Sequence, residues 1–271
     1  MSRPSTFPMG ALRGNTVFSL NASPWDASDV RRLTQISQQA VAAASADVAS
    51  LLPAEASAAA AAAVRQYSTF AHCGILLFPH AVEAAVRYFA ELDLDPLPPV
   101  PSVLVRRRLC ERYGLTTQTC EVYITKLRAS PRPGTHHLLE VFLFPKTAKA
   151  LESHIIHNEQ KFEFENHIAL QINQPDERLL EQLMVLLQSD AGLIWEGGGH
   201  NPHESTGGTT VLYFVRDQSV ITTHRPMFER YELRCQGDFS SVVNRHPVNV
   251  AALTETYSAW TNSRHGRHLR S

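Results

Sequence analysis

Two histidines and two glutamates stand in repeated surroundings in this 271-residue chain. His72 lies in Phe70-Ala71-His72-Cys73-Gly74-Ile75-Leu76-Leu77-Phe78, and His167 in Glu165-Asn166-His167-Ile168-Ala169-Leu170-Gln171-Ile172. Glu140 lies in His137-Leu138-Leu139-Glu140-Val141-Phe142-Leu143-Phe144, and Glu232 in Glu229-Arg230-Tyr231-Glu232-Leu233-Arg234-Cys235. His72 precedes Glu140 by 68 residues and His167 precedes Glu232 by 65, so the pattern is nearly the same length twice over. Neutral imidazole and carboxylate are the usual ligands of Fe(II), Zn(II), Mn(II) and Ni(II), and two histidines with one carboxylate leave positions open for a substrate. A single histidine in an apolar strand need be only a core residue; its repetition with a partner glutamate is what argues for a metal held between two halves. Glu140 stands in an apolar run, where a buried carboxylate needs a cation, a hydrogen-bonding partner or a solvent-lined cavity. His72, His167 and Glu232 are the expected ligands, with Glu140 as a fourth; His136 or His137 are the substitutes for His72.

Further polar residues point towards the same site. The run Glu196-Gly197-Gly198-Gly199-His200-Asn201-Pro202-His203-Glu204-Ser205-Thr206-Gly207-Gly208 reads as a loop, in which glycines let backbone approach a ligand or let a lid move. It brings His200 and His203 forward as acid/base candidates; a long surface hairpin is the alternative. Its spacing is not that of a phosphate-binding loop. Arg216, Arg230 and Arg234 are candidates to hold an anionic substrate group.

Positioning these residues requires strands with one apolar and one polar side. Alternation puts Arg230, Glu232 and Arg234 on one face and Tyr231, Leu233 and Cys235 on the other; His167 and Gln171 likewise share a face opposite Ile168, Leu170 and Ile172. The second half reads as strand 162–173, a helix opened by Pro175 and Asp176, then strands at 193–195, 209–215 and 227–236. This β-α-β-β-β order has a weaker precursor: strand 70–78, helix 80–92, an ambiguous stretch at 103–113, and a hairpin of 121–127 with 136–145. A helix over 147–160 bridges the halves. Upstream, a helix starts at Asp26 or Ser28 and ends before Pro53, and a second has Pro53 in its first turn and runs through the alanines at 58–63. The expected fold class is α+β: paired β-α-β-β-β modules forming a curved sheet around a metal site, with N-terminal helices. The expected units are 1–66 (irregular arm and helical extension), 67–146 and 147–240 (the two modules), and 241–271 (C-terminal helix and tail).

The β-α-β-β-β order, Asn166-His167-Ile168-Ala169-Leu170 and Phe228 to Leu233 together resemble the vicinal oxygen chelate superfamily, which includes glyoxalase I, extradiol dioxygenases and 4-hydroxyphenylpyruvate dioxygenase. The resemblance covers roughly 68–238. It implies a metal held by the first and last strands of paired modules, hence His72, His167, Glu232 and Glu140. It also implies a metal-dependent dioxygenase, with iron(II) first and manganese, nickel or zinc as alternatives, acting with O2 on a small organic acid or phenolic substrate. A non-oxidative isomerase, lyase or epimerase is the second expectation, and a metal-free small-molecule binder the third. Glu121 to Leu127 is similar to the 2-oxoadipate dioxygenase/decarboxylase branch, but Leu76 stands where that branch has an arginine four residues after its first metal histidine. A different cage, His157, Glu159 and His224 with Arg234, resembles the pattern of 2-oxoglutarate-dependent oxygenases.

Composition sets the remaining bounds. A net charge of −1 leaves no footprint for nucleic acid or an anionic membrane. The basic run 264–270 reads as a frayed terminus. No apolar stretch approaches the roughly 18 residues of a membrane helix, and the N-terminus shows no secretion signal. Four cysteines without a CxxC pair suggest reduced thiols and a cytoplasmic location. A homodimer is a further expectation.

Overall fold

A computed structural model describes residues 23–128, 137–204, 206–218 and 228–265. The expectations for the N-terminal arm, His136, His224 and the basic run 266–270 lie outside these residues.

Asp26 caps the first helix, α1 (Ala27–Ala44), by accepting from the Asp29 backbone N–H, and Val30, Leu33, Ile36, Ala40 and Ala43 form its buried stripe. A short 3-10 turn follows at Val48–Leu51. The second helix, α2 (Ala58–Tyr67), starts at Ser57, whose hydroxyl accepts from Ala60 N, and not at Pro53 as expected: a real cap outweighs a proline that merely tolerates the first turn. α1 is pinned to the sheet by charge. Asp29 accepts from Phe78 N at 2.9 Å and from Arg32 at 2.8 Å, while Arg32 donates to Leu76 O at 3.0 Å, satisfying backbone groups where the first strand ends.

That strand is β1 (Ser68–Leu77), followed by α3 (Val82–Glu91), β2 (Val100–Pro101), α4 (Leu104–Tyr113), β3 (Tyr123–Arg128) and β4 (His137–Leu143). The ambiguous stretch is therefore a helix, and β2 is only a two-residue edge. α5 (Ser153–Phe162) bridges to β5 (His167–Ile172), α6 (Glu177–Asp190), β6 (Leu193–Asn201), β7 (Thr209–Arg216), β8 (Arg230–Gln236), α7 (Ser240–Arg245) and α8 (Val250–His265). Among the described residues, eight strands form one strongly curled half-barrel sheet, ordered β2-β3-β4-β1-β5-β8-β7-β6. The fold is α+β. On the outer face, α1 and α6 pack Leu33, Ile36, Leu180, Leu183 and Leu187 against Ile75, Ile168, Leu170 and Leu233.

The glycine-rich segment is not a loop. Residues 193–201 continue as β6, paired with β7 along Gly197, Gly198 and Gly199. Gly199 admits α4: a Cβ there would lie 2.8 Å from Leu104 Cδ2, and Arg107 donates to Gly198 O at 3.1 Å. The helix thus lies inside the curl, with Val105 and Leu109 against Leu76, Ile124 and Phe142. No described helix is long and apolar enough to cross a membrane. The four cysteines are free and buried.

Candidate metal centre

Ladder register brings the four donors together. The central strands run β4-β1-β5-β8, with β1 parallel to β4, β5 parallel to β8, and β1 antiparallel to β5. One row across the sheet reads Glu140, Gly74, His167; the next reads His72, Ala169, Glu232. Each histidine is followed two residues later, on the same face, by a small residue that stands beside the other module's histidine. At Gly74 this is obligatory: a Cβ there would fall 2.0 Å from His167 Cε1. The rings of His72 and His167 meet edge to face at 5.6 Å.

His72 Nε2 lies 3.5 Å from Glu140 Oε2 and 3.9 Å from Glu232 Oε1. His167 Nε2 lies 3.3 Å from Glu232 Oε2 and 3.9 Å from Glu140 Oε2. One ligand atom from each of the four falls within 4.8 Å of the others. Two ligands facing each other across an ion at about 2.1 Å stand about 4.2 Å apart, so a small inward shift suffices. All four residues are buried. His72 Nε2, His167 Nε2 and Glu232 Oε2 have no hydrogen-bond partner, although buried polar atoms are nearly always paired. The Nδ1 of His167 lies 2.9 Å from Glu165 O; with the ring proton on Nδ1, the Nε2 lone pair is left facing the cluster. The donor set therefore fits a divalent cation.

Burial is the largest influence on the protonation of His167, Glu140 and Glu232. Burial favours the neutral form of His167 and brings its pKa down to about 4, against the opposing pull of Glu140. Glu140 would be raised by burial, but His72 and the Lys126 ammonium hold it well below the usual carboxylate range. Lys126 Nζ lies 3.1 Å from Glu140 Oε1. Glu232 is raised, by burial first; His72 and the Tyr213 hydroxyl offset this only in part, and the charge of Glu140 adds to it. Beside these groups lies a small cleft of about 10 Å³, room for about one water, whose lining includes Glu140, Glu232, Tyr213, Asn201, Glu204 and Leu104.

Other expected residues fall elsewhere. His200 sits opposite Thr210, and its Nδ1 lies 3.4 Å from the Thr210 hydroxyl. Thr210 and Leu212 face the outer core, so His200 is on the wrong side of the sheet for the cluster. His203 is exposed on the β6–β7 turn. Arg216 also points to the outer face, closing on Glu229 at 2.9 Å. Arg230 shares the face of Glu232, but its guanidinium is committed: 2.7 Å to each Glu196 oxygen, with further bonds to Phe164 O and Tyr257. Arg234 does reach the cleft side, donating to Gln171 at 2.7 Å and lying 3.8 Å from Glu204. The alternative cage does not assemble. His157 and Glu159 are two residues apart on α5 and diverge; His157 is exposed, and Glu159 is held by Arg112 at 2.5 Å and Tyr113 at 2.9 Å.

Four residues escaped the sequence reading: Gly74, Lys126, Tyr213 and Glu204. The small residue two places after each histidine was a visible signal for the first. The others come from strands and a turn far away in sequence, and only the curl brings them in.

No family model matches the chain, and no curated protein matches it. Among solved structures it is similar to glyoxalase I from Zea mays: 15% identity, TM-score 0.18, covering 64% of this chain and 48% of that one. A mutant of glyoxalase I from Zea mays gives 12% identity and TM-score 0.18, covering 65% of this chain and 73% of that one. The chain thus spans about half the length of the first of these structures.

Proposed function

We propose that the chain is a metal-dependent enzyme of the vicinal oxygen chelate kind, and that its chemistry is an iron(II)-dependent dioxygenation of a small organic acid or phenol. The single observation that carries this reading is the convergence of two buried imidazole Nε2 atoms and a glutamate oxygen, all without partners, from the first and last strands of two modules. Two histidines and one carboxylate with open positions are the donor set of non-heme iron(II) oxygenases. When bound, the ion would supply Lewis acidity to substrate oxygens and, as iron(II), redox chemistry with dioxygen.

The chain's own residues do the rest. Glu165 O orients His167, and Gly74 leaves room for the ring. α4 covers the concave face and excludes water; its Arg108 guanidinium lies 4.2 Å from the centre of the Tyr213 ring. The Tyr213 hydroxyl lines the cleft beside Glu232 and favours its carboxylate form.

Glu140 separates the two enzyme readings. Held by Lys126 through Oε1, it can stay outside the ligand set, leaving the three donors that an oxygenase uses. Its other oxygen faces both Nε2 atoms, and joining them would make four donors and favour a non-oxidative isomerase, lyase or epimerase. The test loads the protein with iron(II) and compares turnover of a panel of small acids and phenols with and without oxygen, in wild type and Glu140→Gln. Oxygen-dependent turnover and metal retention by Glu140→Gln are expected. Turnover without oxygen, with metal lost from Glu140→Gln, selects the non-oxidative reading. A chain unable to take up metal is a binding protein.

A further inference from the structure

One carboxylate in the cleft belongs neither to the donor set nor to the buried arginine network. Glu204, on the turn between β6 and β7, reaches across the curl to Lys126 on β3. Its Oε2 lies 2.8 Å from Lys126 Nζ and 3.8 Å from an Arg234 nitrogen, and its Oε1 accepts from the Asn201 side-chain amide at 3.0 Å. Glu204 lines the same cleft as Glu140 and Glu232. The side chains of Lys126, Arg234 and Glu204 are 17%, 17% and 10% exposed, so the arrangement is mostly withdrawn from water without being sealed. The Lys126 bond is charge-assisted, the short and strong kind, while the Arg234 guanidinium donates to Gln171 and Thr209 and stands at ion-pair distance. A carboxylate bonded to an ammonium and an amide, with a guanidinium close by, is the arrangement that a carboxylate ligand makes.

We infer that Glu204 is an internal stand-in for a substrate carboxylate, occupying an anion subsite formed by Lys126, Arg234 and Asn201, and that an acidic substrate enters by displacing it. The inference rests on the metal reading only for where the other end of the substrate lies. The subsite deepens the expected substrate class: a small acid whose carboxylate lies a few bonds from the oxygens that face the histidines. It also makes the turn self-limiting. With no acid present, Glu204 and Lys126 close the mouth; with one present, two like charges compete for the same donors and the turn side chain is expelled. Lys126 contacts both Glu204 and Glu140, so the exchange is felt at the donor set.

The test titrates malonate into the full chain by calorimetry, once after stripping with EDTA and once with Mn(II) added, with the Mn(II) affinity measured separately. Glu204→Gln removes the competing charge while keeping the side chain's shape and is expected to bind malonate on the order of tenfold tighter than wild type in both states. Glu204→Ala should behave the same way. Lys126→Met in the Glu204→Gln background should abolish the gain. Unchanged or weaker malonate binding in both Glu204 variants overturns the inference, as does a gain that survives loss of Lys126. If no Mn(II) binds yet the malonate gain appears and depends on Lys126, the subsite stands and the metal reading falls. If Mn(II) binds through the histidines and malonate affinity does not move, the reverse holds.

Discussion

The two modules present the same donors on equivalent strands but surround them differently. In the first, the residues two places either side of Glu140 are Leu138 and Phe142; in the second, those flanking Glu232 are Arg230 and Arg234. α4 meets both halves at once. Its Val105 and Leu109 pack on Phe142 and Leu76 of the first. Its Arg108 and Arg112 enter a buried ionic network with Glu165 and Glu159 from the second half, and Arg230 joins that network through Glu165 and Glu196. Strand register fixes where the four donors meet, and the flanks differ: one half is apolar cover, the other an ionic clamp beneath His167.

Breaking the clamp is expected to have the largest effect. Arg230→Met leaves Glu196 without its buried counter-charge, while Glu165 keeps Arg108 and Arg112; it should destabilise the protein by about 3–5 kcal/mol, measured by urea unfolding, whereas Leu138→Met in the first half should cost less than about 1.5 kcal/mol. Equal losses would show that the halves are not supported differently.

A sharper comparison concerns the two small residues. Gly74→Ala drives a methyl into the His167 ring and should cost about 1–3 kcal/mol and abolish metal uptake, read by thermal melting and elemental analysis. The mirror change, Ala169→Gly, should cost about 0.5–1 kcal/mol and leave metal uptake intact. Metal uptake unimpaired in Gly74→Ala would mean that His167 does not need its observed position.

The acid limb of stability gives a smaller, graded test. Burial would raise the carboxyls of Glu165 and Glu196, but the arginines around them hold both below the ordinary 4.5, with Glu165 well below it. Their contribution is therefore complete above about pH 4.5, the unfolded value, and is lost as pH falls through the lower folded values. Unfolding of the metal-free protein followed against pH should steepen below about 4.5, and Glu196→Gln should flatten that limb. A limb unchanged by the substitution would remove the clamp from the account.

Much of this architecture was legible because the donors sit in alternating strands. Tyr231, Leu233 and Cys235 face the outer core while Arg230, Glu232 and Arg234 face inward, as alternation required. α6 announced itself by Asp176 and the leucines at 180, 183 and 187. α4 did not, because charge does not mark its solvent side: Arg107 and Glu111 are exposed, but Arg108 and Arg112 turn inward to ionic partners beside the apolar Val105 and Leu109. The glycines of β6 looked like a loop because strand glycine is rare. At Gly199 it answers the close approach of Leu104, which no local pattern encodes. A glycine-rich loop could turn His200 inward and Arg216 could hold an anion, but as members of β6 and β7 both fall on the outer face.

The most direct measurement is metal content and affinity of the purified chain, by elemental analysis and calorimetry, for wild type, His72→Ala and His167→Ala. One ion per chain is expected, with affinity falling by more than about 100-fold in each variant, since removing a ligand should exceed the 10- to 100-fold cost of losing an outer-shell partner. Wild-type protein that takes up no iron(II), manganese or zinc, or a histidine variant that binds as tightly as wild type, would contradict a shared centre drawn equally from both modules.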